Sequence, residues 1–460
     1  MSTARPDVIV IGTGQAGVPL ATRLAAAGRK VAIIERGALG GTCTNVGCTP
    51  TKTMIASARA AHVARTAGRL GVSVGPVEVD FHAVMARKER IVERWRAGVE
   101  RRLAQAAERV RLVRGHARFV GPRIVEVNGE RLEANRIVLD VGARPAWPEL
   151  PGLRDVGAFD SAAALASRDL PPRLLVLGAG YVACELGQMF RRLGAEVTLV
   201  APSPRPLSRE DEDVSSALAG ALVADGVALE LGAAVTAARR AGQEIELDRA
   251  GGRATLRGSH LLVATGRRPN TDDLGCEAGG VALDASGHVA VDERYETSQP
   301  GVFAVGDCVP GPQFTHVSWD DHRVLFSILT GRPARARTAR HVPFTVFTDP
   351  QVAGIGLSER EARERGLPVE VATMPFGNIA RAIETDETAG LVKILVDPAS
   401  ERIVGARVVG AEAGELIHVL GVLMQAGASV RALVDGEIAH PTFAEGLQSA
   451  VMKLPRFALA

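Results

Sequence analysis

Two cysteines carry the most evident chemistry in this sequence. Cys43 and Cys48 are separated by four residues, and Pro50 and Lys52 follow them closely. The chain has only 5 cysteines among its 460 residues, so a pair at this spacing indicates a shared role. Proline suits the first turn of a helix, and a helix N-terminus lowers the pKa of a nearby thiol. The pattern therefore predicts a redox-active pair at the start of a helix.

Two other interpretations of the pair are open. A zinc site needs about four ligands, and no second Cys/His cluster with matching spacing follows in the sequence. A disulfide that only braces a fold belongs to oxidising compartments, and the apolar run at residues 8–11 ends at Gly12, too short for an export signal. The redox interpretation is therefore favoured, and no metal site is predicted.

The element that must position the cysteines begins at residue 7. A buried strand over residues 7–11 leads into a G-x-G-x-x-G turn, a helix that ends at Gly28, and a second strand over residues 31–34. Glu35 closes that strand 21 residues after Gly14, the spacing at which an acid binds a ribose hydroxyl. The pattern predicts a dinucleotide whose pyrophosphate lies at the helix N-terminus. The three fingerprint glycines are Gly12, Gly14 and Gly17.

The same unit occurs a second time. A strand over residues 174–177 leads into Gly178 and Gly180, and the next strand ends at Ala201, 21 residues after Gly180. No acid stands at that offset, so a ribose 2′-phosphate would not be repelled. Ser203 and Arg205 lie just beyond and could bind it, together with Arg209. We therefore expect two nucleotides in one chain, the second being NADPH rather than NADH, with NADH still possible.

The whole chain sets further bounds. At roughly 150 residues per domain its length suggests about three domains. The balance of 54 basic and 52 acidic residues favours neither nucleic acid nor a membrane surface as a partner. Apolar runs stay far below the ~18 residues of a membrane span, and we expect a cytoplasmic protein. From about residue 342 the pattern becomes a strand-rich α+β one.

The stretch from Gly40 to Lys52 resembles the redox-active disulfide of the flavoprotein disulfide reductases, a family that includes glutathione reductase, dihydrolipoamide dehydrogenase and mercuric reductase. The resemblance implies FAD at the first fingerprint and NAD(P)H at the second. It implies a Cys43–Cys48 disulfide in which Cys48 lies against the flavin and Cys43 attacks the substrate. It also implies an α/β fold with two Rossmann-like domains and a C-terminal α+β dimerisation domain.

The resemblance extends to other positions. Glu185 matches the acid that pairs with Lys52 near the flavin, Tyr181 the tyrosine that covers the nicotinamide site, and Asp307 the residue that binds the ribityl chain. His440 and Glu445 match a C-terminal acid–base dyad that reaches the cysteines of the other subunit, so the resemblance implies a homodimer. The remaining positions predicted to bind the cofactors are Thr42, Gly115, Gly142, Gly266 and Thr315. Val141 stands where the family has threonine.

The corresponding domain boundaries divide the chain into four segments. Residues 1–147 and 271–337 would form the FAD-binding part, residues 148–270 the NAD(P)H-binding domain, and residues 338–460 the dimerisation domain. Together these features predict an FAD-dependent NAD(P)H:disulfide oxidoreductase that reduces a small disulfide.

The acceptor is open to alternatives. Metal-ion reduction, as in mercuric reductase, fits Ala201, but the chain ends without the vicinal cysteines of those enzymes. A dihydrolipoamide dehydrogenase docked on a 2-oxoacid dehydrogenase complex is a second alternative, and a soluble transhydrogenase a third, disfavoured because it needs no cysteine pair. The segment with His316, Asp320 and Asp321 resembles a branch of reactive-chlorine resistance linked to copper reduction, and the role of these three residues is open.

Overall fold

The computed structural model describes residues 5–457. Its helices are α1 (Gly17–Ala26), α2 (Gly41–Asn45), α3 (Cys48–Thr66), α4 (Phe81–Gln105), α5 (Ser161–Ala164), α6 (Tyr181–Leu193), α7 (Glu212–Ala224), α8 (Thr315–Leu329), α9 (Glu359–Glu364), α10 (Ala380–Glu384), α11 (Ala413–Ala426), α12 (Arg431–Val434) and α13 (Glu445–Met452). Short 3₁₀ turns cover Ala67–Leu70, Gly306–Cys308 and Phe376–Asn378.

The strands follow in chain order. They are β1 (Val8–Ile11), β2 (Val31–Glu35), β3 (Val110–Arg114), β4 (Arg118–Gly121), β5 (Ile124–Val127), β6 (Glu130–Glu133), β7 (Arg136–Leu139), β8 (Ala143–Pro145), β9 (Phe159–Asp160), β10 (Arg173–Leu177), β11 (Glu196–Ala201), β12 (Ala228–Leu231), β13 (Val235–Ala241), β14 (Glu244–Arg249), β15 (Leu256–Gly258), β16 (His260–Val263), β17 (Arg267–Pro269), β18 (Val302–Ala304), β19 (Phe344–Val346), β20 (Gln351–Gly356), β21 (Glu370–Pro375), β22 (Leu391–Val396) and β23 (Ile403–Gly410).

The elements form two compact units. The first contains the residues up to 53 together with 86–146 and 266–340. Its main sheet has the order β18-β7-β1-β2-β3, and all of its pairings are parallel. Every residue of β1 is buried, as expected for a parallel strand covered on both faces. The first fingerprint therefore lies on a Rossmann-like sheet.

The second unit contains residues 54–85, 147–265 and the chain from 341 onward. Its parallel sheet has the order β12-β11-β10-β16-β9 and carries the second fingerprint after β10. A separate antiparallel sheet, β19-β20-β23-β22-β21, is formed by the C-terminal part of the chain. Helices α11 and α13 pack on this sheet around a core that includes Ile394, Ile417 and Leu447.

These sheets confirm the predicted fold class. The sequence patterns missed the antiparallel strands β4, β6, β13, β14, β15 and β20, among others. Glu130–Glu133, for instance, has the sequence ERLE with a single buried side chain, so it lacks the apolar run of a central strand. The four segment boundaries stay a prediction, and residues 458–460 of the cysteine-free C-terminus lie outside the described residues.

Candidate active site

The two cysteines occupy adjacent helices. Cys43 lies within α2, and Cys48 is the first residue of α3, with Pro50 in its first turn as the sequence predicted. The Cys48 Sγ lies 3.1 Å from the Oγ1 of Thr315 at the start of α8. A hydrogen bond joins the two cysteine side chains. Two sulfurs in such contact can form a disulfide or share one proton.

The electrostatics of Cys43 differ from the expectation of a lowered thiol pKa. The hydrogen bond with Cys48 raises the pKa of Cys43 most, and burial and the charge of Cys48 raise it further. A hydrogen bond to Thr315 and the positive charge of Lys52 lower the pKa of Cys43, but by less. The Cys48 thiol and burial outweigh Thr315 and Lys52, because both disfavour the charged form of Cys43.

The first fingerprint forms a tight turn after β1. Gly12 has φ +110°, and a Cβ added there would overlap the Asp140 carbonyl. The Glu35 carboxylate faces this turn, since its Oε2 accepts hydrogen bonds from the N–H (3.0 Å) and the hydroxyl (2.6 Å) of Thr13. A Cβ on Gly14 would lie 2.7 Å from the Asp140 carboxylate, and a Cβ on Gly17 would overlap Gly12. The predicted acid and glycines therefore meet at one end of the sheet.

The other predicted residues of this unit surround the same edge. Asp307 lies in the 3₁₀ turn after β18, and its Oδ2 is 3.2 Å from the Arg267 Nη2. Burial raises the pKa of Asp307, and the charge of Arg267 opposes that rise. Gly142 (φ +66°) and Gly266 (φ +137°) have open space at their Cβ positions. Gly115 (φ +149°) donates its N–H to the Glu35 carbonyl at 3.0 Å, and Thr42 lies in α2 beside Cys43.

Asp140 was missed by the sequence analysis, which considered only its neighbour Val141. Its buried Oδ2 accepts the N–H of Gly17 at 2.7 Å, across 123 residues of sequence. Burial is the largest cause that raises the pKa of Asp140 to about 8, and the charges of Asp307 and Asp321 add to it. The sequence held one signal for this residue, which is that an acid directly follows the apolar strand β7.

The open glycines and the acids test whether FAD fits this unit. The glycine turn exposes backbone rather than side chains. Gly142 follows β7, which pairs with β1, and both Gly142 and Gly266 have open space at their Cβ positions. Glu35 and Asp307 supply acceptors for hydroxyl groups. This donor set suits a dinucleotide with ribose and ribityl hydroxyls. The residues therefore fit the cofactor.

The second fingerprint has the same construction. Gly178 (φ +130°) packs against the Ala264 carbonyl, whereas Gly180 precedes α6 and has open space at its Cβ position. Tyr181 is the first residue of α6, and its ring stacks on Phe344 at 5.8 Å between centroids. Glu185 is buried, and its Oε1 accepts the Phe347 N–H at 2.8 Å. The pairing of Glu185 with Lys52 stays a prediction.

The loop after β11 contains the residues predicted to select NADPH. Ala201 is buried at the end of β11, and Ser203 donates its hydroxyl proton to the Arg205 carbonyl at 3.1 Å. The Arg205 Nη1 lies 3.3 Å from Glu212, but its Nε is buried and has no hydrogen-bond partner among residues 5–457. The rest of the guanidinium is accessible, since the Arg205 side chain is 32% exposed, and it could engage an anionic ligand.

His440 and Glu445 form the predicted dyad. The His440 Nδ1 lies 2.8 Å from the Glu445 Oε1, and the Thr442 N–H donates to the other carboxylate oxygen at 2.8 Å. The Thr442 N–H and then the His440 side chain lower the pKa of Glu445. A carboxylate can only accept, so Nδ1 carries the proton and Nε2 is the nitrogen left for a substrate. The imidazole is 69% exposed.

The polar segment before and within α8 separates into two parts. Asp321 is buried and accepts hydrogen bonds from the Tyr295 hydroxyl (2.7 Å), the Gly306 N–H (2.9 Å) and Arg340. Asp320 pairs with Arg335 and Arg340. Asp321 therefore stabilises the turn at Gly306, and both aspartates pair with Arg340. His316 differs, because it is exposed, stacks on Phe314 at 5.3 Å and follows Thr315 directly.

Comparison with known proteins identifies the class. The sequence profile of the pyridine nucleotide-disulphide oxidoreductases matches residues 6–321, and that of their dimerisation domain matches residues 342–451. The chain belongs to this family of NAD(P)H-dependent flavoprotein disulfide oxidoreductases, which use FAD and NAD(P)H. None of the helices within residues 5–457 has the length and hydropathy that a bilayer span requires.

Individual relatives span nearly the whole chain. A mercuric reductase from Staphylococcus aureus is 33% identical over 97% of this chain and 82% of its own length. A dihydrolipoyl dehydrogenase from Thermus scotoductus is 37% identical over 98% of both chains. The copper(II) complex of RclA, an HOCl-induced flavoprotein disulfide reductase from Escherichia coli, superposes with a TM-score of 0.90 at 31% identity, covering 98% of this chain and 100% of that one.

Proposed function

We propose that this enzyme oxidises NADPH and reduces a small disulfide through Cys43 and Cys48. The observation that carries the proposal is the contact of these side chains beside Thr315, in which Cys48 raises the pKa of Cys43 and the charge of Lys52 opposes that rise. FAD, when bound, would supply the hydride and electron-transfer chemistry between NADPH and the Cys43–Cys48 disulfide. Glu35, Asp307 and the glycine turn from Gly12 to Gly17 would hold it.

The cysteines then carry out thiol–disulfide exchange. The Cys43 thiolate attacks one sulfur of the acceptor disulfide, forms a mixed disulfide and expels the other sulfur as a thiolate. Cys48 attacks the Cys43 sulfur, which releases the second half of the acceptor as a thiolate and restores the Cys43–Cys48 disulfide. The acceptor gains two electrons and two protons. The close contact of the two sulfurs makes the second attack intramolecular and fast.

His440 supplies the proton that the leaving thiolate needs. Glu445 holds the imidazole by Nδ1, so Nε2 carries or accepts the transferred proton. In a homodimer built on the C-terminal domain, His440 of the partner subunit would serve Cys43. The exposed position of the imidazole supports a role toward a group outside its own domain.

The choice of NADPH rests on the loop after β11. Ala201 leaves the 2′-position of the ribose without an opposing carboxylate at that offset, and the Arg205 side chain, 32% exposed, offers guanidinium donors to a phosphate. A 2′-phosphate bound there would gain a charge-assisted hydrogen bond that NADH cannot make.

Steady-state oxidation of NADPH and NADH by the FAD-loaded enzyme tests the proposal. The acceptor panel contains glutathione disulfide, mycothione, lipoamide, Cu(II) and Hg(II), with oxygen alone as the blank. We expect turnover of one organic disulfide, and we expect His440→Ala to slow it by about a hundredfold, the usual weight of a positioned acid. Turnover of none of the organic disulfides would contradict the proposal.

Metal-ion reduction is the second candidate. The similarity to mercuric reductases and to RclA favours it, as does the position of the exposed His316 next to Thr315, which contacts Cys48. Such an acceptor needs no proton from His440. Turnover of Cu(II) or Hg(II) that is unchanged in His440→Ala and reduced in His316→Ala would support this candidate instead.

A further inference from the structure

Arg407 has an unusual environment for a residue of the C-terminal sheet. It lies in the middle of β23 with only 4% of its surface exposed. Its Nε donates to the Glu210 Oε2 at 2.5 Å, and the Glu210 side chain is 7% exposed. Its Nη1 donates to the carbonyl oxygens of Ala406 (2.9 Å) and Ile355 (3.3 Å). Burying two charges has a high desolvation cost, so this ion pair needs an explanation beyond stability.

The Arg407 guanidinium also packs against an aromatic ring. The Arg407 guanidinium carbon lies 5.3 Å from the centroid of the Phe344 ring, and Phe344 stacks on Tyr181 with an interplanar angle of 13°. Burial raises the pKa of Tyr181 to about 12, and the charge of Glu210 adds to the rise while Arg407 and Arg209 oppose it. Tyr181, Phe344, Arg407 and Glu210 therefore form one continuous series of contacts, which we call the Arg407 chain.

The two ends of the Arg407 chain flank the second nucleotide fingerprint. Tyr181 opens α6 directly after Gly180, the glycine with open space at its Cβ position. Glu210 ends the loop that begins at Ala201 and carries Arg205, the arginine with the unsatisfied Nε. The same loop is tied to the fingerprint by the Leu207 N–H, which donates to the Ala179 carbonyl at 2.9 Å.

We propose that Arg407 is a positioning residue for the pyridine nucleotide, holding Tyr181 through Phe344 and the phosphate-binding loop through Glu210. Its burial would keep it from contacting the nucleotide itself. Because an arginine is planar and always charged, one side chain can stack on an aromatic ring and make a directed ion pair at the same time. This inference rests on the proposed binding of NADPH at the second fingerprint, and it adds a residue from the C-terminal sheet to the determinants of that binding.

The structure offers a matched control in the adjacent strand. Lys393 of β22 pairs directly with Arg407 in the sheet register and is 2% exposed. It bonds to Asp211, the residue after Glu210, and to Asp213 and Glu359. Lys393 therefore connects the same sheet to the start of α7, but it is not part of the Arg407 chain. If nucleotide affinity fell only because the loop came loose from the sheet, it would fall in variants of Arg407 and of Lys393 alike.

The test compares the FAD-loaded wild type with Arg407→Met/Glu210→Leu, Phe344→Leu and Lys393→Met. The double variant removes both buried charges together, which avoids leaving one unpaired. Calorimetric titration measures the Kd of two ligands. The Kd of 2′,5′-ADP reports on the phosphate-binding loop, and the Kd of NADP⁺ reports on both ends of the Arg407 chain. Thermal unfolding is recorded for each variant, and kcat and KM are measured for NADPH and for the acceptor.

We expect the double variant to bind 2′,5′-ADP at least tenfold more weakly, with a raised KM for NADPH and an unchanged KM for the acceptor. Phe344→Leu should keep the wild-type Kd for 2′,5′-ADP and change that for NADP⁺ at least threefold. Lys393→Met should keep both within twofold even if its Tm falls. Wild-type affinities in the double variant, or an equal loss in Lys393→Met, would overturn the inference. A wild type that binds neither ligand would overturn the proposed nucleotide site itself.

Discussion

At the scale of single residues, the contact between Cys43 and Cys48 defines the chemistry. The side-chain hydrogen bond between them is the largest cause that raises the pKa of Cys43, while Lys52 and Thr315 act in the opposite direction. The two thiols are therefore electrostatically coupled, since the state of Cys48 changes the pKa of Cys43. Thr315 contacts this pair, although its hydroxyl comes from a distant part of the sequence.

Replacing Cys43 with serine should abolish disulfide turnover, because the residue assigned to attack the acceptor would be lost. NADPH oxidation with an artificial dye that takes electrons directly from the bound flavin should continue within about twofold. The two rates are measured on the same preparation, so the dye reaction controls for folding and FAD content. Normal disulfide turnover in Cys43→Ser would refute the assigned roles.

Asp140 gives a prediction of pH dependence. Its folded pKa is raised to about 8, so the folded protein keeps a proton on this carboxyl that the unfolded chain has lost above about pH 4. Stability should therefore fall as the pH rises from 4 toward 8, by at most about 1.4 kcal/mol per pH unit for one proton. In Asp140→Asn, which retains an acceptor for the Gly17 N–H, this contribution should be missing.

Urea unfolding of the FAD-loaded protein at pH 6 and pH 8 measures the difference. The exposed Asp169→Asn is the control and should follow the wild type. If Asp140→Asn lost as much stability between the two pH values as the wild type does, a charged Asp140 in the folded state would be indicated.

At the scale of elements, the loop between β11 and α7 is the one proposed to select NADPH. β11 ends at a buried Ala201, and Arg205 pairs with Glu212 while its Nε has no partner within residues 5–457. The loop is held at Leu207 by Ala179 and at Glu210 by Arg407. Contacts on both sides therefore set the shape of the loop. This shape matters because a phosphate is recognised by protein donors that point toward its oxygens.

Arg205→Ala should raise the KM for NADPH by tenfold or more, because one charge-assisted hydrogen bond to the 2′-phosphate contributes about 1.5–3 kcal/mol. The KM for NADH, which lacks that phosphate, should change less than twofold. Steady-state kinetics with both nucleotides at a fixed acceptor concentration provide the comparison. Equal effects on the two nucleotides would place the 2′-phosphate elsewhere.

At the scale of the whole molecule, the family's dimerisation domain covers residues 342–451. Helix α11 of this domain buries Leu416, Ile417 and Leu420 against its sheet. Its outer side carries Val419 at 40% exposure and Val422 at 68%. Exposed apolar side chains on a domain that associates mark a surface that a second copy can cover.

Val422→Glu should therefore convert the dimer to a monomer, because a carboxylate buried at an interface is left unpaired. Light scattering after size-exclusion chromatography measures the mass, and disulfide turnover should fall with the dimer if His440 acts across the interface. Val223→Glu, at a 56% exposed position of α7, is the matched control. A stable Val422→Glu dimer would show that α11 lies outside the interface.

Much of the function was determined by local sequence. The two fingerprints, Glu35 and the missing acid at Ala201 are confined to strand–turn–helix units of about 30 residues, where the backbone conformation depends on neighbours in the chain. The two cysteines are five positions apart, and so are His440 and Glu445. Such features could be predicted because spacing along the chain sets their distances in space.

Only the tertiary structure decided which distant charges meet. Asp140 bonds to Gly17 across 123 residues, and Arg407 bonds to Glu210 across 197 residues. In the sequence, Arg407 stands in an apolar strand and Asp140 follows one, and neither position has a periodic pattern that identifies its partner. Contacts of this kind depend on how sheets and loops pack, because a buried charge is tolerated only where the fold brings an opposite charge or a donor to it.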